Sequence, residues 1–171
     1  MKTKVMSFML AVISAICLTS IAGASSETTF PANWKNWTSV ETTLTKVGAI
    51  PGCDADVSGF PPIYQETVAT YCNVKQGGPG KVAILVKPAD LDNYKARNGR
   101  FSNGPNMILH LVDMKVLFVT GHSGGNVTYG VFTEDGNDLG AASGPLDLSK
   151  CRVCHTGYQA FCINGQCGTI R

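Results

Sequence analysis

Residues 150–156 read Lys150-Cys151-Arg152-Val153-Cys154-His155-Thr156. At the centre is C-x-x-C-H, the spacing by which two thiols and an imidazole hold a c-type haem. On a helical turn, residues three and four apart share a face. Cys154 is three residues from Cys151 and His155 is four from it. Two thioether sulfurs and one axial nitrogen therefore approach a single macrocycle together. Imidazole is a good ligand for haem iron.

Rival readings of the same residues stay open. A thioredoxin-like C-x-x-C sits beside a βαβ pattern, and none precedes Cys151. Cys151, Cys154, Cys162 and Cys167 offer four thiols for zinc, but thiolate clusters suit reducing compartments better. The plainest alternative is two structural disulfides with an incidental His155.

The compartment is read from the other end of the chain. Residues 1–24 resemble a secretory signal: Lys2 and Lys4, an apolar stretch from Phe8 to Ile21, then Ala22-Gly23-Ala24 as the cleavage site. The apolar run is short for a membrane span, and Ser14, Thr19 and Ser20 interrupt it. Residues 25–171 are then expected to form a single monohaem domain, periplasmic or secreted, with no membrane span after cleavage. Those 147 residues hold twelve basic and twelve acidic side chains. That balance argues against nucleic acid as a partner, which favours a basic face.

Six cysteines follow Ala24. Haem takes two, and Cys53, Cys72, Cys162 and Cys167 allow three pairings. Cys53 with Cys72 and Cys162 with Cys167 is the preferred set, because each pair closes a short loop. Such bridges persist in oxidising compartments.

Along the chain, Pro31 and the candidate cap Asn33 predict an N-terminal helix to about Leu44, with Trp34, Trp37, Val40 and Leu44 on one buried stripe. Gly48 to Pro62 reads as loop. Ile63 to Tyr71 reads as a strand, with Tyr64, Glu66, Val68 and Thr70 to one side. Gly77-Gly78-Pro79-Gly80 is a turn lacking the Lys-Ser/Thr ending of a phosphate-binding loop. Val82 to Val86 is an apolar run, expected to be a strand buried on both faces. Pro88 starts a short central helix with Leu91 and Tyr94 inward. Met107 to Val119 predicts two strands bent near Asp113. Gly121 to Gly125 reads as a polar loop, and Asn126 to Thr133 as a strand with Val127, Tyr129 and Val131 on one face. Glu134 to Asp138 is a turn without the ligand spacing of a calcium loop. Gly140 to Pro145 reads as a linker to the cysteine segment. The order predicts an α+β fold: a mainly antiparallel sheet, an N-terminal helix, a short central helix and a C-terminal haem-attachment helix, with the haem on one sheet face.

Three stretches carry a likeness to a known family. They are Phe30-Pro31-Ala32-Asn33-Trp34-Lys35-Asn36-Trp37; Lys87-Pro88 through Tyr94 to Gly99-Arg100-Phe101-Ser102-Asn103-Gly104; and Cys151 to His155. In that order they resemble the β-sheet cytochromes c′ (cytochrome c′-beta) and their relatives, the cytochromes P-460. The resemblance implies one covalent haem c, a largely antiparallel sheet and a homodimer. One branch carries a lysine cross-linked to the porphyrin, five residues after the turn glycine, and oxidises hydroxylamine. Counted from Gly104, that position is Leu109, which has no amine to form the link. The chain is thus similar to the branch whose five-coordinate iron binds nitric oxide and carbon monoxide.

With His155 on one side of the iron, the other side decides function. Candidate ligands are His110, His122, Met107 and Met114. His110 neighbours Leu109 in a strand and points to the opposite face; it reads as a core or dimer-contact histidine. His122, among glycines, reads as a solvated loop residue. Met107 shares a face with Leu109, though filling a core gap is the commoner role of methionine. Phe101 and Phe118 are candidate aromatic walls, with core packing as the plainer reading. Arg100, Lys87 and Lys115 suit either haem propionates or exposed surface. Asn36-Trp37-Thr38 and Asn126-Val127-Thr128 fit the glycosylation triplet, and are chance matches if the source is bacterial.

The expectation is an exported haem protein that takes up a small gas. The alternatives are a six-coordinate electron carrier docking a redox partner protein, and an enzyme that oxidises hydroxylamine or reduces peroxide.

Overall fold

Alternation of side chains from Gly104 to Thr133 builds the frame. Met107, Leu109 and Leu111 alternate with Ile108 and His110; Val116 and Phe118 with Leu117 and Val119; Tyr129 and Val131 with Gly130 and Phe132. Both sets are largely apolar, so the sheet they form buries residues on both faces. The computed structural model describes residues 26–40, 53–60, 62–76, 80–140, 146–157, 162–163 and 166–167. The signal stretch, residues 77–79 of the glycine turn and residues 141–145 of the linker lie outside them.

Among the described residues five strands of one sheet run antiparallel in the order β1-β2-β3-β4-β5. They are β1 (Thr38–Val40), β2 (Val82–Val86), β3 (Gly104–Leu111), β4 (Val116–Ser123) and β5 (Asn126–Thr133). The break expected near Asp113 is a single 3-10 turn, Val112–Met114, closed by Lys115 at φ 56°. Between β4 and β5 only Gly124 and Gly125 turn the chain, at φ 56° and 83°. Both angles positive is what a tight two-residue hairpin of matching twist requires, and glycine supplies them without strain. A small hairpin, β6 (Cys162–Ile163) and β7 (Gln166–Cys167), sets Cys162 opposite Cys167 in its backbone register. Their side chains lie outside the described residues.

Among the described residues three helices accompany the strands: α1 (Pro62–Val74), α2 (Leu91–Ala96) and α3 (Leu148–Gly157). A 3-10 turn, Pro88–Asp90, leads into α2 as the proline predicts. No helix among the described residues is long and apolar enough to cross a membrane. The antiparallel sheet with few helices bears out the α+β reading at that level.

Four local expectations are corrected. The N-terminal helix is a 3-10 turn, Trp34–Asn36, followed at once by β1. Asn33 makes no cap; its side-chain oxygen accepts from Trp37 Nε1 at 3.3 Å. Thr38 to Val40 instead pair with Val86 to Ile84, a sheet ladder that the helical spacing of the tryptophans did not foretell. Leu44 lies outside the described residues. The strand expected over Ile63 to Tyr71 is helix α1, begun by Pro62 at the first helical position. Its alternation mixed polar and apolar residues on the same side, so it carried no true period of two. Cys53 and Cys72 join α1 to the loop before it through a disulfide, as spacing suggested. β2 is half-buried apart from the fully buried Val86, since on the side away from β3 it is covered only by the short edge strand β1. His122 is no loop residue; it lies in β4 and is 3% exposed.

The sheet separates two cores. On one face, Trp34, Trp37, Ile108, Leu117, Val119 and Phe132 pack together. Trp34 Nε1 donates to the Glu134 carbonyl at 3.2 Å, fixing the aromatic segment over the sheet. On the other face, Leu111, Val116, Tyr129, Val131 and Leu148 form the second core, and α3 lies over β5. Residues 26–28 close the outer edge of β5. Glu27 N–H donates to the Tyr129 carbonyl at 2.8 Å, and Tyr129 N–H to Glu27 Oε2 at 3.1 Å. Ser26 Oγ accepts from Val131 N–H at 3.0 Å and donates to Asp138 Oδ1 at 2.6 Å. An edge satisfied in this way offers no ladder to another strand.

Candidate functional site

Helix α3 brings the cysteine segment onto the second face. Leu148, at its start, is buried in the second core, and Cys151 packs half-buried against the same cluster. One turn on, the His155 ring meets Tyr129 at 5.3 Å between centroids, tilted by 56°. The Arg152 guanidinium stands 5.6 Å over the Tyr129 ring and pairs with the Glu27 carboxylate. Tyr129 thus contacts both Arg152 and His155. The Cys154 side chain lies outside the described residues.

Register fixes which expected residues join this face. Leu109 stands opposite Phe118, and Phe118 opposite Val131. Directly opposed residues share a face, so Leu109 and Phe118 look toward the side that α3 covers. Both are half-buried and pack against the second core. Met107, opposite Thr120, is 6% exposed on the next row of the same face. Met114 also packs there, at the far end.

His110 faces the other way, as alternation predicts. Its ring lies 4.9 Å from that of Trp34, and its Nε2 is 2.7 Å from Glu134 Oε1. Together these hold Glu134 and the tryptophan segment to the first core.

A buried polar chain at the end of the sheet was not foreseen. Asp90 is 2% exposed and Asn106 fully buried. Asp90 Oδ1 accepts from Ser102 N–H at 3.0 Å; its Oδ2 accepts from the Ser102 hydroxyl at 2.8 Å and from Asn106 Nδ2 at 2.7 Å. Asn106 Oδ1 lies 2.7 Å from His122 Nδ1. Phe101 stacks on the His122 ring at 4.8 Å and 22°, which places that expected aromatic wall beside an imidazole. Lys87 Nζ donates to Ser102 Oγ at 3.1 Å and lies 4.0 Å from Asp90. Burial raises the Asp90 pKa, but the Ser102 N–H, the Asn106 amide, the Ser102 hydroxyl and Lys87 together outweigh it and hold the carboxyl below 3.8. The pairing of β3 with β4 slips between Pro105 and Met107, leaving Asn106 as the extra residue. A bulge re-aims a side chain in this manner. Sequence offered one clue: Asp90, Ser102 and Asn106 are short polar residues flanking the central helix and its turn.

Among the described residues, no group of three or more His, Cys, Asp or Glu gathers as a metal site. Compared with protein-family models, with curated proteins and with solved structures, the chain matches none of them.

Proposed function

We propose that this chain is an exported monohaem c-type cytochrome whose iron binds a small neutral gas, nitric oxide or carbon monoxide. Haem c would be held through thioethers at Cys151 and Cys154, with His155 as the axial ligand. The observation that carries the reading is that Cys151 and His155 ride on α3 over the sheet face that also holds half-buried Leu109 and Phe118. The donor set fits the group: two thiols and an imidazole on one short helix, beside apolar side chains suited to a porphyrin.

When bound, the haem supplies an iron position open to a diatomic ligand. The chain's residues do the rest. Leu109 and Phe118 exclude water and charge from that side. Tyr129 fixes the orientation of His155 by ring contact. Leu109 supplies no amine for a porphyrin cross-link, which favours gas uptake over hydroxylamine oxidation. A periplasmic or secreted location and a homodimer belong to the same reading; the Cys53–Cys72 disulfide agrees with an oxidising compartment.

A second reading, electron transfer to a redox partner protein, draws on Met107, whose thioether sits on the same face as a candidate sixth ligand. Two measurements test these readings. Intact mass of protein made with cytochrome maturation should show one added haem, and neither the Cys151→Ala nor the Cys154→Ala variant should carry it through two thioethers. The ferrous spectrum should be high-spin and shift with carbon monoxide. Sharp low-spin bands insensitive to the gas would favour the electron carrier, and a colourless protein would end both.

A further inference from the structure

Residues 26–28 form a strap along the outer edge of β5, and its successive side chains serve opposite faces of the sheet, as a strand's do. Thr28 is buried. A methyl group at Gly121 would lie 2.5 Å from Thr28 Oγ1, and one at Gly130 would lie 2.9 Å from Thr28 Cγ2. Thr28 therefore fills space that two glycines leave open. Gly130 stands opposite Val119 of the first core, so this seat belongs to the first face. With Thr28 seated there, Glu27 turns to the other face, the one that α3 covers.

On that face the Glu27 carboxylate divides its two oxygens. Oε2 accepts from Tyr129 N–H at 3.1 Å, and Oε1 accepts from Arg152 Nη2. Arg152 lies inside the C-x-x-C-H segment, directly after Cys151. Its guanidinium stands over the Tyr129 ring, and the His155 ring meets the same tyrosine. Glu27 and Arg152 are both exposed, and an exposed ion pair contributes little alone. Here the same carboxylate also takes a backbone N–H, a charge-assisted bond that fixes where Oε1 points. The guanidinium gains a ring face as well. One carboxylate thus ties the edge of β5 to the helix that carries the cysteine and histidine.

We propose that Glu27 is a positioning residue for the C-x-x-C-H segment: acting through Arg152, and held in register by Thr28, it fixes α3 on β5 and with it the ring of His155. The helix half of this stands by itself. The haem half, that Glu27 thereby sets the iron–imidazole bond, rests on the haem reading above.

Amide hydrogen exchange of the full secreted chain, read residue by residue, tests the helix half, since it reports local opening apart from global unfolding. Glu27→Gln keeps an oxygen for Tyr129 N–H and loses the charge facing Arg152. Amides of α3 are expected to exchange about two- to fivefold faster in this variant, the scale of an exposed ion pair, while those of β3 and β4 keep their wild-type rates. In an Arg152→Gln background the same change should have no effect, because the coupled partner is gone. Wild-type rates in α3, an equal acceleration in β3 and β4, or an acceleration that persists with Arg152→Gln would each overturn the positioning role.

The iron–imidazole stretching band of the ferrous holoprotein, read by resonance Raman, tests the haem half. It should shift in Glu27→Gln and stay at its wild-type position in the double variant Cys53→Ser, Cys72→Ser, which loosens the fold without touching α3. A band unmoved by Glu27→Gln, or moved equally by both variants, would overturn this half. A chain that takes up no haem ends the haem reading and this half with it, and the exchange rates of the colourless protein still decide the other.

Discussion

Tyr129 and His155 meet ring to ring, 5.3 Å between centroids, across the contact of β5 with α3. Tyr129 is buried, and Arg152 lies over it from the same helix. Removing the ring takes away the surface that His155 and Arg152 of the helix contact. Tyr129→Ala is expected to destabilise the fold by about 3 kcal/mol, seen as a lower urea midpoint. Tyr129→Phe keeps the ring and should stay within about 1 kcal/mol of wild type.

Leu109 and His110 are adjacent and serve opposite faces. Under the haem reading, changes at the two should divide cleanly. Leu109→Ala or Phe118→Ala should alter carbon monoxide affinity, because each opens the wall beside the ligand. His110→Gln should leave the visible spectrum unchanged. Titrating the ferrous protein with the gas checks all three. A spectrum altered by His110→Gln would place the haem on the wrong side of the sheet.

Asp90 predicts an acid-sensitive contribution to stability. Its folded pKa lies below the ordinary 3.8, so the native state binds fewer protons than the unfolded chain around that value. The stabilisation is complete above 3.8 and is lost as pH falls through the folded value. Asp90→Asn should cost about 2 kcal/mol at pH 7, where charged hydrogen bonds are replaced by neutral ones. Urea unfolding of the two proteins at pH 7 and at pH 3 should show the gap narrowing at the lower pH.

The Cys53–Cys72 disulfide spans 19 positions. In the chain-entropy account a loop of that size contributes about 3 kcal/mol. The double variant Cys53→Ser, Cys72→Ser should lose about that much. Urea unfolding of the variant beside wild type, without reductant, measures it.

Gly130 sits where a methyl group has no room. A Cβ there would lie 2.6 Å from Phe132 Cε2 and 2.9 Å from Thr28 Cγ2. Gly130→Ala is expected to cost about 1–3 kcal/mol by overpacking, with thermal unfolding as the readout.

Sequence reading succeeded where one period dominated. β5 follows from Asn126 to Thr133, and the opposed faces of Leu109 and His110 follow from alternation alone. It failed where long-range pairing outbid local pattern. Trp34 and Trp37 are three apart and both buried, as a helix would have them, yet Thr38 to Val40 join β2, more than forty residues away. His122 looked solvated because glycines surround it, but those at 124 and 125 make the whole turn. The cysteine and histidine of α3 were legible from spacing. The Asp90–Asn106–His122 chain was not, because a bulge rather than a motif brings it together.

The clasp between residues 26–28 and the sheet has a kinetic consequence. Ser26 and Glu27 wait for partners 102 to 125 positions downstream: Tyr129, Asp138 and Arg152. A polypeptide emerges in order, so this latch can shut fully only after β5 and α3 have left the ribosome. Distant partnerships of that kind slow the search for the native topology. Until the latch shuts, the rim of β5 is bare, and that interval is when chaperones, proteases and sister chains find the nascent molecule most vulnerable.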